Sequence, residues 1–154
     1  DPENVLIIGL GGGTLSNVIH ELYPKATIEN VEIDPAVIKV ARDYFAFVEN
    51  DKVTSKVQDG RIFIKRAAIK KQQYDWVILD LFSQLDAPVF LYKHHFYEKI
   101  RDALSTNGHL FINFLSAHQS QLKQLEQLLS ATFGKPPNIE KIPDYTNHIV
   151  MISK

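Results

Sequence analysis

The sequence predicts a doubly wound α/β fold, in which a mostly parallel sheet carries helices on both faces and ends in an antiparallel hairpin. Apolar runs rich in Val, Ile and Leu alternate with segments of helical periodicity, which is typical of parallel strands joined by crossover helices. The first run, residues 5–8, leads directly into glycines at positions 9, 11, 12 and 13, and a helical pattern follows Thr14. Such a turn lets a ligand approach the backbone at a helix N-terminus.

Seven segments have strand-type patterns. Residues 5–8 and 74–80 are apolar at successive positions, as in strands buried on both faces of a sheet. The last two segments are separated only by a turn, so we expect them to form a hairpin at one sheet edge. The predicted strands cover residues 5–8, 27–33, 52–57, 74–80, 109–114, 139–142 and 148–153.

Five helices are predicted between the strands. Pro24 stops the first, Asp34 caps the second ahead of Pro35, and Asn107-Gly108 closes the fourth. Residues 81–91 contain Pro88 and no clear period, so we predict a loop there. The predicted helices run from Thr14 to the Tyr23-Pro24 stop and cover residues 35–45, 61–71, 94–104 and 119–133.

Composition limits the classes of protein to which the chain can belong. Its 154 residues fit one domain, and the 45% hydrophobic and 23% charged fractions are those of an ordinary globular protein. A net charge of −1 does not indicate a nucleic-acid or membrane-surface partner. The absence of cysteine excludes disulfides, thiolate metal sites and a cysteine nucleophile. Neither a signal peptide nor a membrane-spanning apolar run is present, so we expect a cytoplasmic protein.

Acidic residues follow three of the predicted strands. Right-handed crossovers bring the carboxyl ends of parallel strands to one edge of the sheet, where ligands bind in this fold class. Glu32 lies about 20 residues beyond the glycines, where an acid accepts the hydroxyls of a ribose. Asp59 either accepts a hydrogen bond from an exocyclic amine such as that of adenine or forms a turn with Gly60. Asp80 ends a buried strand, where a carboxylate is costly unless it faces a polar cleft.

The glycine spacing discriminates between kinds of nucleotide. The dinucleotide fingerprint places its third glycine where this chain has Thr14, whereas the glycines here follow a tighter Gly9-x-Gly11-x-Gly13 pattern. This difference disfavours nicotinamide-dependent oxidoreduction.

Five motifs in chain order carry a family resemblance: VLIIGLGGGT at 5–14, VEIDP at 31–35, QDGRIFI at 58–64, YDWVILD at 74–80 and FYEKIRDAL at 96–104. Their order and spacing resemble the spermidine synthase (polyamine aminopropyltransferase) family of class I S-adenosylmethionine-dependent transferases. The resemblance covers about the first three quarters of the chain. It implies a Rossmann-like class I methyltransferase fold and a single catalytic domain, residues 1–154, without the N-terminal β-domain of that family.

The resemblance also implies a role for each residue at the predicted sheet edge. The co-substrate would be S-adenosylmethionine or decarboxylated S-adenosylmethionine. Glu32 would hold its ribose hydroxyls, Ile33 would pack on the base, and Asp59 with Gly60 would hold the adenine. Asp80 would act as the catalytic base, or anchor a substrate ammonium, while an amine displaces methylthioadenosine. The glycines around the methionine portion would be Gly9, Gly11, Gly12 and Gly13.

Two positions differ from the pattern of the resembling family. Gly12 stands where aminopropyltransferases carry an aspartate, and Ser83 stands where they carry a second aspartate after the fourth strand. Both acids help to grip substrate amines in that family. Asp86 is a candidate substitute, although a solvated loop acid is the simpler interpretation.

Three functions therefore stay open. The first is transfer of an aminopropyl or methyl group to a nucleophile, expected to be an amine. The second is methylation of an unknown acceptor, and the third is a nonenzymatic nucleoside-binding module. We expect a small-molecule substrate, with a polyamine as one candidate, no nucleic-acid or membrane partner, and a homodimer as one candidate assembly.

Two remaining groups of side chains receive simpler interpretations. The six histidines lack regular ligand spacing, so we expect no metal site. We interpret the basic cluster of Lys65, Arg66, Lys70 and Lys71 as a solvated helix face.

Overall fold

A computed structural model describes residues 1–81, 88–115 and 118–154, and all elements below belong to these ranges. The strands are β1 (Asn4–Ile8), β2 (Thr27–Glu32), β3 (Val53–Val57), β4 (Tyr74–Leu79), β5 (Leu104–Leu115), β6 (Asn138–Lys141) and β7 (Asn147–Ser153). The helices are α1 (Thr14–Leu22), α2 (Pro35–Tyr44), α3 (Gly60–Ile69), α4 (His94–Ala103) and α5 (Gln119–Phe133), and a 3-10 helix covers Val89–Tyr92.

The described strands form one mixed sheet in the order β3-β2-β1-β4-β5-β7-β6. Strands β1 to β5 pair parallel with one another, whereas β7 pairs antiparallel with both β5 and β6. This arrangement confirms the predicted doubly wound sheet and its hairpin at one edge. The strand order reverses between β1 and β4, which creates the crevice where ligands bind in this class of sheet.

Both faces of the sheet bury apolar side chains under helices, because successive residues of a strand point to opposite faces. Val5 and Ile7 of β1 belong to one buried cluster, and Leu6 and Ile8 belong to the other. The first cluster includes Ile19 of α1 and Ile38 of α2, and the second includes Ile64 of α3, Ile100 of α4 and Leu125 of α5. Helices therefore cover both faces, as the alternation of patterns predicts.

The cap of α2 is as predicted. The Asp34 carboxylate Oδ1 accepts a hydrogen bond from the backbone N–H of Ala36 at 2.8 Å, and Pro35 occupies the first helical position. This side chain satisfies one of the free N–H groups of the first turn.

The interpretation of Asn107-Gly108 as a helix stop is wrong. Helix α4 ends at Ala103 and the chain enters β5 directly, so Asn107 and Gly108 lie inside the strand. The pairing of β5 with β4 shifts register between Tyr74 and Trp76. A Cβ atom on Gly108 would lie 2.9 Å from the carbonyl oxygen of Tyr74. Glycine is required there by the close approach of two strands, rather than by the end of a helix.

The predicted loop at 81–91 ends in the 3-10 helix rather than in irregular chain. Residues 82–87, which include Ser83 and Asp86, lie outside the described residues, as do residues 116 and 117. None of the described helices has both the length and the apolar character needed to cross a bilayer.

Candidate functional site

A cavity of about 230 Å³ lies where β1, β2 and β4 end and α3 begins. Ligand-binding pockets usually enclose about 300–1,000 Å³, so this cavity is large enough for only part of a typical ligand. Five of the eight predicted cofactor-binding residues line it: Gly9, Glu32, Ile33, Asp59 and Gly60. Its remaining lining residues are Ile8, Val31, Arg61, Leu81, Pro88 and Phe90.

The Glu32 carboxylate is held in place by two backbone N–H groups. Its Oε2 accepts a hydrogen bond from Leu10 of the glycine turn, and its Oε1 accepts one from Asp34, both at 3.0 Å. A carboxylate has about two acceptor positions on each oxygen. One position on each oxygen of Glu32 therefore stays available, which is the arrangement that two adjacent hydroxyl groups require.

Asp59 caps a helix, a role that differs from both of its sequence interpretations, a bond to an adenine amine and an Asp-Gly turn. Its Oδ1 accepts a hydrogen bond from the backbone N–H of Arg61 at 2.8 Å and thereby caps α3. The Arg61 guanidinium also donates hydrogen bonds to both carboxylate oxygens. This hydrogen bonding holds the pKa of Asp59 below its usual value, so the carboxylate is ionised at neutral pH. Its role toward an adenine amine stays a prediction.

The lowered pKa of Asp59 also makes the stability of the fold depend on pH. Because the pKa of Asp59 is lower in the folded state than in the unfolded state, its interactions stabilise the fold at pH values above the unfolded pKa. That contribution is lost as the pH falls through the lower, folded pKa.

Apolar side chains complete the cavity on either side of the polar groups. Ile33 is 65% exposed at the end of β2, which leaves an apolar surface free to contact a flat base. Phe90 also lines the cavity. The guanidinium carbon of Arg61 lies 5.3 Å from the centroid of the Phe90 ring. Arg61 is thus positioned by a carboxylate and an aromatic ring together.

Two glycines of the cavity have no space for a side chain. A Cβ atom on Gly9 would lie 2.1 Å from the carbonyl oxygen of Asp80, and Gly9 has a φ of +95°. A Cβ atom on Gly60 would lie 2.3 Å from Cγ2 of Ile8. Glycine at position 9 therefore lets the end of β1 contact the end of β4, and glycine at position 60 lets α3 start against β1.

Gly9→Ala should lower the free energy of unfolding by at least about 3 kcal/mol, because it combines a positive φ with a backbone clash. Gly11→Ala is the matched control, since Gly11 also has a positive φ, +53°, but nothing lies within 4 Å of a Cβ atom there. We expect the control to cost about 1–2 kcal/mol. Urea denaturation of both variants measures the difference, and equal losses would contradict the contact between the strand ends.

The other three glycines do not line the cavity. Gly11 and Gly12 line a separate depression of about 340 Å³ that also contacts Phe45. A Cβ atom on Gly12 would lie 3.1 Å from Cδ1 of that ring. Gly13 is the N-cap residue of α1 and packs against Phe47. Their contact with a methionine portion therefore stays a prediction.

Asp80 lies at the end of β4 and lines a different space from the cavity. Its side chain borders an apolar groove of about 690 Å³ beside α1, whereas the next residue, Leu81, lines the cavity. Asp80 Oδ1 accepts a hydrogen bond from Asn113 Nδ2 at 2.9 Å, and Asn113 Oδ1 accepts one from Asn147 Nδ2 at 2.8 Å. Among the described residues, none donates a hydrogen bond to Oδ2 of Asp80.

The sequence interpretation missed four residues of this region. Asn113 had a signal, because it is the one polar residue in the otherwise apolar stretch 110–115 and lies near the carboxyl end of β5. No sequence signal pointed to Asn147, Arg61 or Phe90, because their positions depend on the hairpin and on contacts across the sheet edge. Within the described parts of the chain, no group of three or more His, Asp or Glu residues could hold a metal ion.

Comparisons with known proteins give two kinds of relative. A polyamine aminopropyltransferase from Vibrio vulnificus is 37% identical over 153 residues, 99% of this chain and 50% of that protein. An eEF1A lysine and N-terminal methyltransferase from Bos taurus is 32% identical over 123 residues, 74% of this chain and 18% of that protein. The chain thus spans half or less of the length of these curated relatives.

A solved structure is also similar to this chain. Human methyltransferase-like protein 13, crystallised in complex with SAH, matches with a TM-score of 0.90 and 27% identity, covering 98% of this chain and 71% of that one. The family model described as "Spermine/spermidine synthase domain" matches residues 1–154. The chain belongs to the spermine/spermidine synthase domain family.

Proposed function

We propose that this chain forms the catalytic part of a transferase that moves an alkyl group from S-adenosylmethionine, or its decarboxylated form, to an amine. The observation that carries the proposal is Glu32, whose carboxylate is fixed by two backbone N–H groups and keeps acceptor positions for two hydroxyls. Ile33, Asp59 and Gly60 share the same cavity. The family, with relatives named as aminopropyltransferases and methyltransferases, supports the same class of co-substrate.

The residues around the cavity fit the nucleoside of such a co-substrate. Glu32 would hold the ribose, and Ile33 would contact the base opposite Leu81 and Phe90. Asp59 is ionised and would accept a hydrogen bond from the adenine amine while it shares its oxygens with Arg61. When bound, the sulfonium supplies an electrophilic carbon and a neutral thioether leaving group.

Asp80 would serve the acceptor amine. Asn113 holds Oδ1 of its carboxylate, and Asp80 lines the apolar groove beside α1, one residue from Leu81 in the cavity wall. An amine that has formed a new bond to carbon must lose a proton, and Oδ2 of Asp80 would accept it. The same carboxylate would also orient a substrate ammonium before the reaction.

Methyl transfer is the second candidate and is favoured by Gly12. The ring of Phe45 lies 3.1 Å from where a Cβ atom on residue 12 would be. An aspartate at this position, as expected in aminopropyltransferases, would require the ring to move. The glycine turn therefore lacks one acid for gripping a polyamine and has little room for such a side chain.

A nonenzymatic nucleoside-binding module is the third candidate. It would keep the cavity around Glu32 but would not need the role of Asp80.

The acceptor and the assembly are part of the proposal. A polyamine or a protein amine would suit a carboxylate such as Asp80, and the two kinds of relative support one acceptor each. We propose the cytoplasm as the location, supported by the lack of cysteine, and a homodimer as the assembly.

The thioether product identifies the transferred group. The full-length protein is incubated with S-adenosylmethionine or decarboxylated S-adenosylmethionine, together with a polyamine or a lysine-containing peptide, and the nucleosides are measured by mass spectrometry. Aminopropyl transfer releases methylthioadenosine, and methyl transfer releases S-adenosylhomocysteine. We expect amine-dependent release of one of them. Binding of the nucleoside without release of either product, across this panel of acceptors, would favour the nonenzymatic module.

A further inference from the structure

A further concave surface lies between α3 and α4 and adjoins the nucleoside cavity, with which it shares Arg61 and Phe90. This groove encloses about 960 Å³. Its rim carries five cationic side chains: Arg61, Lys65, Arg66, Lys93 and Lys99. No acidic residue is among the described residues that line it. The net charge of the whole chain is only −1, so this is a local concentration of positive charge.

Most of this charge is uncompensated. Arg61 pairs with Asp59, and Lys99 pairs with Asp102 at 3.2 Å. The nearby Glu98 faces His94 at 3.6 Å. In the part of the chain that the structure describes, Lys65, Arg66 and Lys93 have no ion-pair partner, and all three are exposed. An anionic ligand would therefore find three free cations along one groove.

The floor of the groove is apolar. Three of its aliphatic side chains are largely exposed, namely Ile62 at 48%, Ile69 at 71% and Val89 at 75%. Ile62, Arg66 and Ile69 are spaced four and three residues apart on α3, so aliphatic and cationic side chains share one helix face. A helix face that carries only solvated basic residues does not need exposed aliphatic side chains. Exposed apolar side chains that cluster together mark interaction surfaces.

We propose that the groove between α3 and α4 docks an acidic amphipathic peptide segment of a partner protein. Carboxylates of the segment would pair with Lys65, Arg66 and Lys93, and its apolar side chains would cover Ile62, Ile69 and Val89. A nucleic acid fits less well, because its phosphates need cations and its bases need exposed aromatic rings, whereas the exposed floor is aliphatic. The aromatic floor residue Phe90 already contacts Arg61 and Phe96.

The test uses a fluorescent synthetic peptide of about 15 residues, with Leu at positions spaced three and four apart and Glu at most others. Fluorescence anisotropy with the full-length protein should give saturable binding with a micromolar Kd that weakens as salt rises. Lys65→Glu/Arg66→Glu should weaken binding at least about tenfold, because charge reversal puts repulsion in the groove. Ile69→Ser should weaken it severalfold through the lost apolar contact.

Lys70→Glu/Lys71→Glu is the matched control, with the same charge change at the end of α3 on residues that do not line the groove. It should weaken binding clearly less than the Lys65→Glu/Arg66→Glu variant does, since neither Lys70 nor Lys71 lines the groove and neither would pair directly with the segment. Neither Lys65 nor Arg66 lines the nucleoside cavity. Their variant should bind S-adenosylhomocysteine normally, so a failure of docking is distinguishable from a failure of the proposed function.

Several outcomes would overturn the proposal. Absence of saturable binding, or equal loss in both double variants, would show that the groove has no specific role. Equal binding of a Glu-only peptide, or tighter binding of single-stranded RNA, would exclude an amphipathic peptide as the preferred occupant. A change from dimer to monomer in the Lys65→Glu/Arg66→Glu variant, measured by sedimentation, would assign the groove to a second copy of the chain.

Discussion

Glu32→Ala should lower the affinity for S-adenosylhomocysteine at least about 100-fold, or about 2.7 kcal/mol. The proposed role gives Glu32 two hydrogen bonds to the ribose that the variant would lose, and hydrogen bonds to a charged group contribute about 1.5–3 kcal/mol each. It also loses the acceptor that holds the N–H groups of Leu10 and Asp34. Isothermal titration calorimetry measures the affinity, and the melting temperature shows that the variant is folded.

Two further variants sharpen this result. Glu32→Gln keeps the shape and one acceptor oxygen, so its affinity should lie between those of the original protein and Glu32→Ala. Glu98→Ala is the matched control, because Glu98 is a partly exposed carboxylate on α4 that does not line the cavity. Its affinity should be unchanged. A folded Glu32→Ala variant with unaltered affinity would remove Glu32 from the binding site.

Asp80→Asn should reduce turnover about 10²–10⁴-fold while changing the affinity for S-adenosylhomocysteine less than about threefold. The amide has the same size as the carboxylate and can still hydrogen-bond Asn113, but it cannot accept a proton from the acceptor amine. Asp80 borders the apolar groove beside α1 rather than the nucleoside cavity, so nucleoside binding should not depend on its charge. Product release under saturating co-substrate measures the turnover.

Asp75→Asn provides the control for removal of charge from the same strand. Asp75 lies at the opposite end of β4, where it accepts hydrogen bonds from the backbone of Glu3 and Asn4 and from Ser105. Its variant should be less stable, but the folded fraction should turn over normally. Equal losses of turnover and nucleoside affinity in Asp80→Asn would instead place Asp80 in the binding of the nucleoside.

The order of the strands and helices was predictable because strand-type patterns alternate with segments of helical periodicity along the chain. Asp34 shows this at one residue, since a cap needs only local chemistry. The start of β5 was not predictable. Asn107-Gly108 has the composition of a turn, and only the register shift against Tyr74 explains why glycine lies within a strand. Such a contact joins residues far apart in the chain.

The candidate site was predictable to the extent that it consists of strand ends. Gly9, Glu32 and Asp59 meet at one edge because parallel strands share their direction. The direction of a side chain at a strand end is not encoded locally. Asp80 therefore borders a groove rather than the cavity, and the Arg61 partner of Asp59 became visible only in three dimensions.

The central claim is that the Glu32 cavity binds an adenosyl thioether or sulfonium. Calorimetry with S-adenosylmethionine, its decarboxylated form, S-adenosylhomocysteine, methylthioadenosine and NAD tests it most directly. We expect at least one of the four adenosyl sulfur compounds to bind with a micromolar Kd, about −8 kcal/mol, and NAD to bind far more weakly. Binding of NAD alone, or of none of the five below about millimolar, would contradict the claim.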